Sequence, residues 1–228
     1  MKKNILLSLS LYFLVVIAAR GQKFKPGIVA GAVASDLVGV DSYDNDFHKA
    51  GLTGGGSMNV YLSERNSFQF EILYTQKGSL QPPDSLNAFT YYQLKLTYIE
   101  VPLIYKHRFA LNAGKKAVDR FAFESGLSFG NLTKIKQTGL IVDNSGVYNT
   151  GVYSDSQFRK IEVAANLGLD FLISDNFMSN VRFSNSLTHV VNQSNSSTSS
   201  IWYTFNKGHN VVFYFTLRYV FSTANKEG

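Results

Sequence analysis

The sequence contains no cysteine, so it can form neither a disulfide framework nor a lipid anchor on an N-terminal cysteine. Charged residues are sparse as well, at 17% of the 228 residues, and only four prolines occur. After the first 21 residues, no apolar stretch reaches the roughly 20 residues that a transmembrane helix needs. A helical membrane protein is therefore excluded, and the chain must be held together by a closed sheet or by an ordinary core.

Apolar residues are concentrated at the N-terminus. Two lysines precede an apolar run from Ile5 to Ala19, and the small residue Gly21 follows. This order is typical of a secretory signal peptide, and the run is too short to span a bilayer. We therefore predict a signal peptide over residues 1–21, a mature N-terminus at Gln22 and a single outer-membrane barrel domain over 22–228.

The formal net charge of +6 is modest and belongs partly to the N-terminal segment. Removal of Lys2, Lys3 and Arg20 with the signal peptide would leave 19 basic against 16 acidic residues, a net charge of +3. No basic stripe accompanies this small excess, so we do not expect nucleic-acid binding.

Apolar and polar residues of the mature chain alternate with a period of two, which is typical of half-buried β-strands. The clearest example interleaves Phe68, Phe70, Ile72 and Tyr74 with Gln69, Glu71, Leu73 and Thr75. The pattern predicts eight strands, near 24–37, 51–62, 67–77, 93–109, 120–134, 159–173, 176–190 and 208–221.

The connections between the predicted strands alternate in length. They are long at 38–50, 78–92, 135–158 and 191–207, short at 63–66 and 174–175, and intermediate at 110–119. Outer-membrane barrels have short periplasmic turns and long outer loops. We therefore predict an all-β fold, an eight-stranded antiparallel transmembrane β-barrel of the Gram-negative outer membrane, with its long loops facing the cell exterior.

A soluble β-sandwich or a lipocalin-like barrel would also alternate apolar and polar residues, and the sequence alone does not say which face is inside. Two features favour the membrane barrel. Charged residues lie opposite wide faces rich in aromatic residues, and aromatic side chains, among them Trp202, cluster near predicted strand ends. Girdles of aromatic residues at the two membrane interfaces explain that placement.

Two blocks of sequence resemble the PorT-like outer-membrane β-barrel family. FEILYTQKG at 70–78 resembles the E-L-x-Y-S-Q-K-G strand of that family, and YIEVPLIYK at 98–106 resembles the Y-L-E-I-P-L-L-x-K strand that follows it. The resemblance implies an eight-stranded barrel and, for the namesake of the family, a role in protein secretion and surface maturation. It implies no catalytic residues.

Proline cannot donate to a β-ladder, so Pro102 predicts a bulge or a strand end. The apolar residues change parity close by, because Leu94, Leu96 and Tyr98 alternate in one phase and the residues from Ile99 onward in the other. A bulge near Tyr98 and Ile99 would keep both sets facing lipid and turn Glu100, Lys106 and Arg108 inward. Three consecutive glycines, 54–56, predict a point of sharp curvature in the second strand.

Charges of both signs occupy the polar faces of the predicted strands. Eight strands enclose a lumen that side chains can fill, and charges removed from water must be paired. We therefore predict an interior charge network that stabilises the barrel and leaves no open pore. Its predicted members are Glu71, Glu100, Lys106, Glu124, Asp170, Arg182 and Arg218.

A lipid hydrolase is the one enzyme that the sequence suggests, through Ser184, Ser186 and His189. Serine and histidine three residues apart on a strand point to opposite faces, and no acid follows nearby to orient the imidazole. We expect no enzyme activity, no cofactor and no metal site, and we read His107 and His209 as interfacial residues.

Two functions then remain open, an anchor for binding or assembly and a channel for small solutes. The expected partners are outer-membrane lipid and an envelope or secretion protein.

Overall fold

The computed structural model describes seven segments of the chain. They are residues 24–38, 47–83, 91–113, 116–143, 146–149, 155–191 and 208–221. The predicted signal peptide and Trp202 lie outside these described residues.

Nine antiparallel β-strands and a single turn of 3-10 helix, Asp155–Gln157, make up the described part of the chain. The strands are β1 (Phe24–Val38), β2 (Lys49–Tyr61), β3 (Asn66–Gln81), β4 (Tyr91–Ala113), β5 (Lys116–Asp143), β6 (Gly146–Asn149), β7 (Ile161–Leu172), β8 (Phe177–Ser186) and β9 (His209–Val220). Within the described residues, no helix is long and apolar enough to cross a bilayer.

Eight of these strands form a closed ring. Sequential strands pair with one another around it, β5 pairs with β7, and β9 returns to pair with β1. The short strand β6 stands outside the ring and, among the described residues, pairs with the last residues of β5, Leu140 to Asp143. The predicted eight-stranded antiparallel barrel is therefore confirmed, and β6 extends one hairpin beyond it.

The strands β4 and β5 are longer than the predicted ranges 93–109 and 120–134. They contain 23 and 28 residues, and only 114–115 separates them where an intermediate connection was predicted. The end of β5 and all of β6 lie within the predicted loop 135–158. A ladder of backbone hydrogen bonds needs no amphipathic pattern once a strand leaves the apolar layer, so periodicity did not detect these extensions.

The barrel is apolar outside and polar inside. Along β3, Phe68, Phe70, Ile72 and Tyr74 are 42–65% exposed, whereas Gln69, Glu71, Leu73 and Thr75 are at most 2% exposed. A water-soluble barrel would bury the first set and expose the second. The outward apolar surface therefore fits a hydrocarbon environment, as predicted.

The connections give the barrel two different ends. At the short-turn end lie the turns 62–65 and 173–176 and the paired strand ends Ala113 and Lys116; the opposite end is the long-loop end. Aromatic side chains pack against each other around the short-turn end, as an interfacial girdle would. The contacting pairs are Phe68–Tyr105, Phe109–Phe121, Phe121–Phe171, Phe177–Tyr219 and Tyr219–Phe221.

The predicted bulge lies on the neighbouring strand. Thr97 pairs with Lys134 and Tyr98 with Leu132, so the extra residue is Thr133 of β5. Its hydroxyl donates to the carbonyl oxygen of Thr97 at 3.0 Å. Pro102 carries no bulge: β4 keeps one register with β3 across it, although the ladder is interrupted between the pairs Phe70–Leu103 and Leu73–Glu100.

The prediction that Leu94, Leu96 and Tyr98 face lipid is therefore wrong. All three side chains are buried on the same inward face as Glu100, while Ile99 and its outward neighbours are exposed. From Leu94 to Lys106 the inward face of β4 keeps one parity. The apolar residues at its start fill the barrel interior at the long-loop end instead of covering its outer surface.

Which end faces the cell exterior is testable because the chain has no cysteine of its own. We expect Ser200→Cys, in the predicted outer loop 191–207, to react on intact cells with a maleimide that does not cross membranes. Ser174→Cys, in a short turn, is expected to react only after the outer membrane is opened. Reaction of Ser174→Cys alone on intact cells would invert the predicted topology.

Candidate functional site in the barrel interior

All seven charges predicted for the interior lie there. Their exposed fractions are at most 5%, and they project from six different strands of the ring. They arise on inward-facing positions of strands whose other face is apolar, so each strand's alternation alone directs them inward. The structure divides them between two clusters at different heights.

The lower cluster, nearer the short-turn end, consists of Glu71, Glu124, Asp170, Lys106, Arg182 and Arg218. Arg182 is its centre. Its Nη1 lies 2.7 Å from Oε2 of Glu71, and its Nε lies 2.6 Å from Oε1 of Glu124. One guanidinium thus joins β8 to β3 and β5 across the lumen. Such charge-assisted hydrogen bonds are stronger than neutral ones, and the fork geometry fixes the direction of both carboxylates.

Asp170 is shared between the other two cations of the lower cluster. Lys106 Nζ pairs with its Oδ2, and Arg218 Nη2 lies 3.2 Å from its Oδ1. Lys106 also reaches Oε2 of Glu124 at 3.2 Å, which links the two halves of the cluster. Three carboxylates therefore meet three cations, and no net charge is left in the apolar layer, where an unpaired ion would be costly.

The upper cluster surrounds Lys77. Its ammonium contacts Glu100 at 2.5 Å and Glu162 at 3.1 Å. Neutral donors complete the two carboxylates: Tyr214 donates to Glu100 at 2.9 Å, and Asn210 donates to Glu162 at 2.8 Å. Two carboxylates thus share one lysine, and hydrogen bonds from neutral donors stabilise the negative charge that the lysine does not balance.

Sequence reasoning missed Lys77 and Glu162, although the signal was present. Lys77 shares the inward parity of Glu71 on β3, and Glu162 shares that of Asp170 on β7. Extending each alternation toward the long-loop end would have found both. Tyr214 gave no such signal, because a tyrosine in an aromatic-rich strand is equally compatible with the lipid face.

An apolar cluster lies above Lys77 and fills the long-loop end of the lumen. The ring of Tyr98 forms its floor, with its centroid 5.1 Å from Lys77 Nζ. Residues that follow the strands cover it from the loop side. The members of this cluster are Leu37, Leu94, Leu96, Tyr98, Leu132, Phe158, Val190 and Val191.

The serines and histidines considered for a hydrolase lie inside the barrel. Ser184 and Ser186 are buried, and the Ser186 hydroxyl donates to Oε1 of Glu162 at 2.6 Å. His189 follows the end of β8, which is shorter than predicted, and its Nδ1 lies 2.9 Å from Nε2 of His209. The interfacial reading of His209 is wrong, since its ring is buried and bonded to the carbonyl oxygen of Ser186.

The described residues contain no group of three His, Cys, Asp or Glu side chains that could hold a metal ion. The only close histidine pair, among those described, is His189 and His209. The geometry of the interior therefore supports structural ion pairing, and the candidate serines Ser184 and Ser186 lie inside the barrel, away from the lipid-facing surface.

Solved structures with a similar chain path include several outer-membrane proteins. Ail, the attachment invasion locus protein of Yersinia pestis, is 12% identical, with 87% of this chain and 99% of Ail covered at a TM-score of 0.47. Neisserial surface protein A is 10% identical, with 89% and 100% covered at a TM-score of 0.42. OprG of Pseudomonas aeruginosa is 10% identical, with 88% and 95% covered at a TM-score of 0.33. Likenesses this weak add nothing to an assignment of function, and no curated protein matches the chain.

A family model gives the decisive match. The outer membrane protein beta-barrel domain matches residues 20–192, which is well over half of the chain. This match covers the broad family and does not single out the PorT-like members within it. Together with the closed ring and the apolar outer surface, it shows that the chain belongs to the outer membrane protein beta-barrel domain family and resides in the outer membrane.

Proposed function

We propose that this protein is a non-enzymatic anchor, with a mature domain over residues 22–228, which holds outer loops for binding or assembly of an envelope protein. The observation that carries the proposal is the filled interior. Two layers of paired charges and an apolar cluster follow one another along the barrel axis, from β3 and β8 up to Phe158. A barrel so filled has its free surface outside the lumen, on its loops and strand ends.

The strands beyond the barrel ring support this role. The ends of β5 and β6 form a hairpin at the long-loop end, with Ile141 paired with Tyr148. Among the described residues β6 has no second neighbour, so one row of its backbone donors and acceptors faces no other described strand. An edge of this kind is a natural surface for pairing with another chain.

The resemblance of 70–78 and 98–106 to the PorT-like family suggests what the partner does. We propose a link to protein secretion or surface maturation on that ground. Co-purification after mild crosslinking of native outer membranes tests the proposal. We expect an envelope or secretion protein to remain with the unmodified barrel and to be lost when 144–151 is replaced by a short Gly-Ser linker. Recovery of lipid alone would contradict the anchor role.

A channel for small solutes is the second candidate, and conductance separates it from an anchor. We expect the purified protein in a planar bilayer to show no steady single-channel current, because the Arg182 and Lys77 layers block the lumen. An outer-membrane porin run in the same bilayer is the control. Large, stable currents from the unmodified protein would replace the anchor proposal with transport.

A lipid hydrolase ranks last. The Ser186 hydroxyl is inside the barrel and donates to Glu162, whereas the acyl ester of a lipid lies outside the ring. We therefore expect no lipid hydrolysis by the unmodified protein. Hydrolysis that disappears in Ser186→Ala would contradict this expectation.

A further inference from the structure

A pocket opens at the short-turn end of the barrel, below the lower cluster. The short-turn ends of β2, β3, β4, β5, β7, β8 and β9 and the turn 62–65 form its wall. Cations dominate its lining, with five against two acids. The lining cations are Arg65, Lys106, Arg108, Arg120 and Arg218, and the acids are Glu64 and Asp170.

The acids do not neutralise this charge. Asp170 is already engaged by Lys106 and Arg218 within the lower cluster. The three other arginines, Arg65, Arg108 and Arg120, make no ion pair with any described residue. Since Lys106 and Arg218 are paired within the lower cluster, the three rim arginines against Glu64 leave the pocket lining with an excess of two positive charges.

Two buried nitrogen donors of the pocket residues also lack an acceptor. Asn59 is 3% exposed and Arg218 is 1% exposed, and both line the pocket. Neither Nδ2 of Asn59 nor Nε of Arg218 has a hydrogen-bond partner among the described residues. Buried donors are almost always satisfied in folded proteins, so two of them beside one cationic pocket indicate an acceptor that binds there.

We propose that this pocket binds a phosphate group. A phosphate carries negative charge and several acceptor oxygens, which complement unpaired guanidinium groups and unsatisfied N–H donors. Three rim arginines against one rim acid also raise the local concentration of anions. The loop-length alternation predicts that this end faces the periplasm, where the phosphate is either free or part of a phospholipid headgroup.

Calorimetric titration of inorganic phosphate into the folded protein tests the pocket. The detergent should be a maltoside, because phosphocholine detergents would supply a competing phosphate, and ionic strength should be held constant with chloride. We expect saturable binding that Arg108→Gln/Arg120→Gln weakens at least about tenfold, since the double variant removes two cationic donors to the phosphate. Arg65→Gln, in an exposed turn, provides an independent variant with the same expected direction.

Arg159→Gln is the matched control, because it removes the same charge at the long-loop end. Its phosphate affinity should equal that of the unmodified protein. Absence of saturable binding, or equal affinities for the rim variants and Arg159→Gln, would overturn the proposal.

A second titration distinguishes the two sources of phosphate. Soluble dihexanoyl phosphatidylglycerol is added before inorganic phosphate. Displacement of phosphate by the lipid at submicellar concentration identifies a headgroup site, whereas undiminished phosphate binding identifies a site for free phosphate. Either result supports the pocket, provided that the rim variants weaken the binding that is observed.

Discussion

Replacing Arg182 with alanine is expected to lower the free energy of unfolding by about 3–5 kcal/mol, as loss of one partner of a buried ion pair does. The guanidinium contacts both Glu71 and Glu124, which are 2% and 0% exposed. Without it, the lower cluster keeps three carboxylates but only two cations. The difference in unfolding free energy is measured by urea titration of the protein in lipid vesicles. The folded fraction is read from gel mobility, because the closed barrel migrates differently before and after heating.

The control for Arg182→Ala is Arg65→Ala, which removes an exposed arginine from a turn and should change the unfolding free energy by less than about 0.5 kcal/mol. Adding Glu71→Gln and Glu124→Gln to Arg182→Ala should restore part of the loss, because the uncompensated charges are then gone. Equal stability of Arg182→Ala and the unmodified protein would show that the cluster does not hold the barrel together.

Replacing Gly55 with alanine is expected to destabilise the barrel by about 1–3 kcal/mol or more, because it overpacks a closely approached strand pair. A methyl group at this position would lie 1.9 Å from the carbonyl oxygen of Ile72 on β3. Because that neighbour is backbone, β2 and β3 would have to separate. The same urea titration measures the loss, which should appear as an earlier disappearance of the fast-migrating folded band.

The adjacent residue Gly56 supplies a matched control. A methyl group there would meet no atom within 4 Å. Gly56→Ala should therefore leave the barrel unchanged or stabilise it by up to about 1 kcal/mol, since alanine restricts the unfolded chain more than glycine does. Identical behaviour of the two variants would contradict the close approach of β2 and β3 at Gly55.

Most of the fold could be predicted from the alternation of apolar and polar residues along single strands. On β3, β7 and β9 one parity is almost entirely apolar over ten or more residues, and the charged residues lie on the other, so each strand defines its own two faces. The same parity placed Glu71, Asp170 and Arg218 on one surface. Alternation failed on β4, where Leu94, Leu96 and Tyr98 are apolar on the inward face. These apolar side chains pack inside the lumen. The sequence of a single strand does not distinguish such residues from residues that contact lipid.

The local pattern also misplaced the register irregularity. Pro102 and the parity change of β4 suggested a bulge on that strand, but the extra residue is Thr133 of β5. A bulge belongs to a pair of strands, and only their mutual register decides which strand carries it. The sequence also did not show which charges pair with each other, because pairing depends on how distant strands meet. Arg182 and Glu71, for example, are 111 residues apart in the chain.

The sequence by itself determined that the chain forms amphipathic strands and not membrane-spanning helices, because a period of two and the lack of long apolar runs are local properties of consecutive residues. It also determined which residues share a face. Only the tertiary structure decided which face is inside, because that depends on closure of β9 onto β1. Closure brings Lys77 to Glu162 and Arg182 to Glu124, and it gathers the rim arginines around one pocket. These contacts join distant strands, and no periodicity along a single strand encodes which strands meet across the lumen.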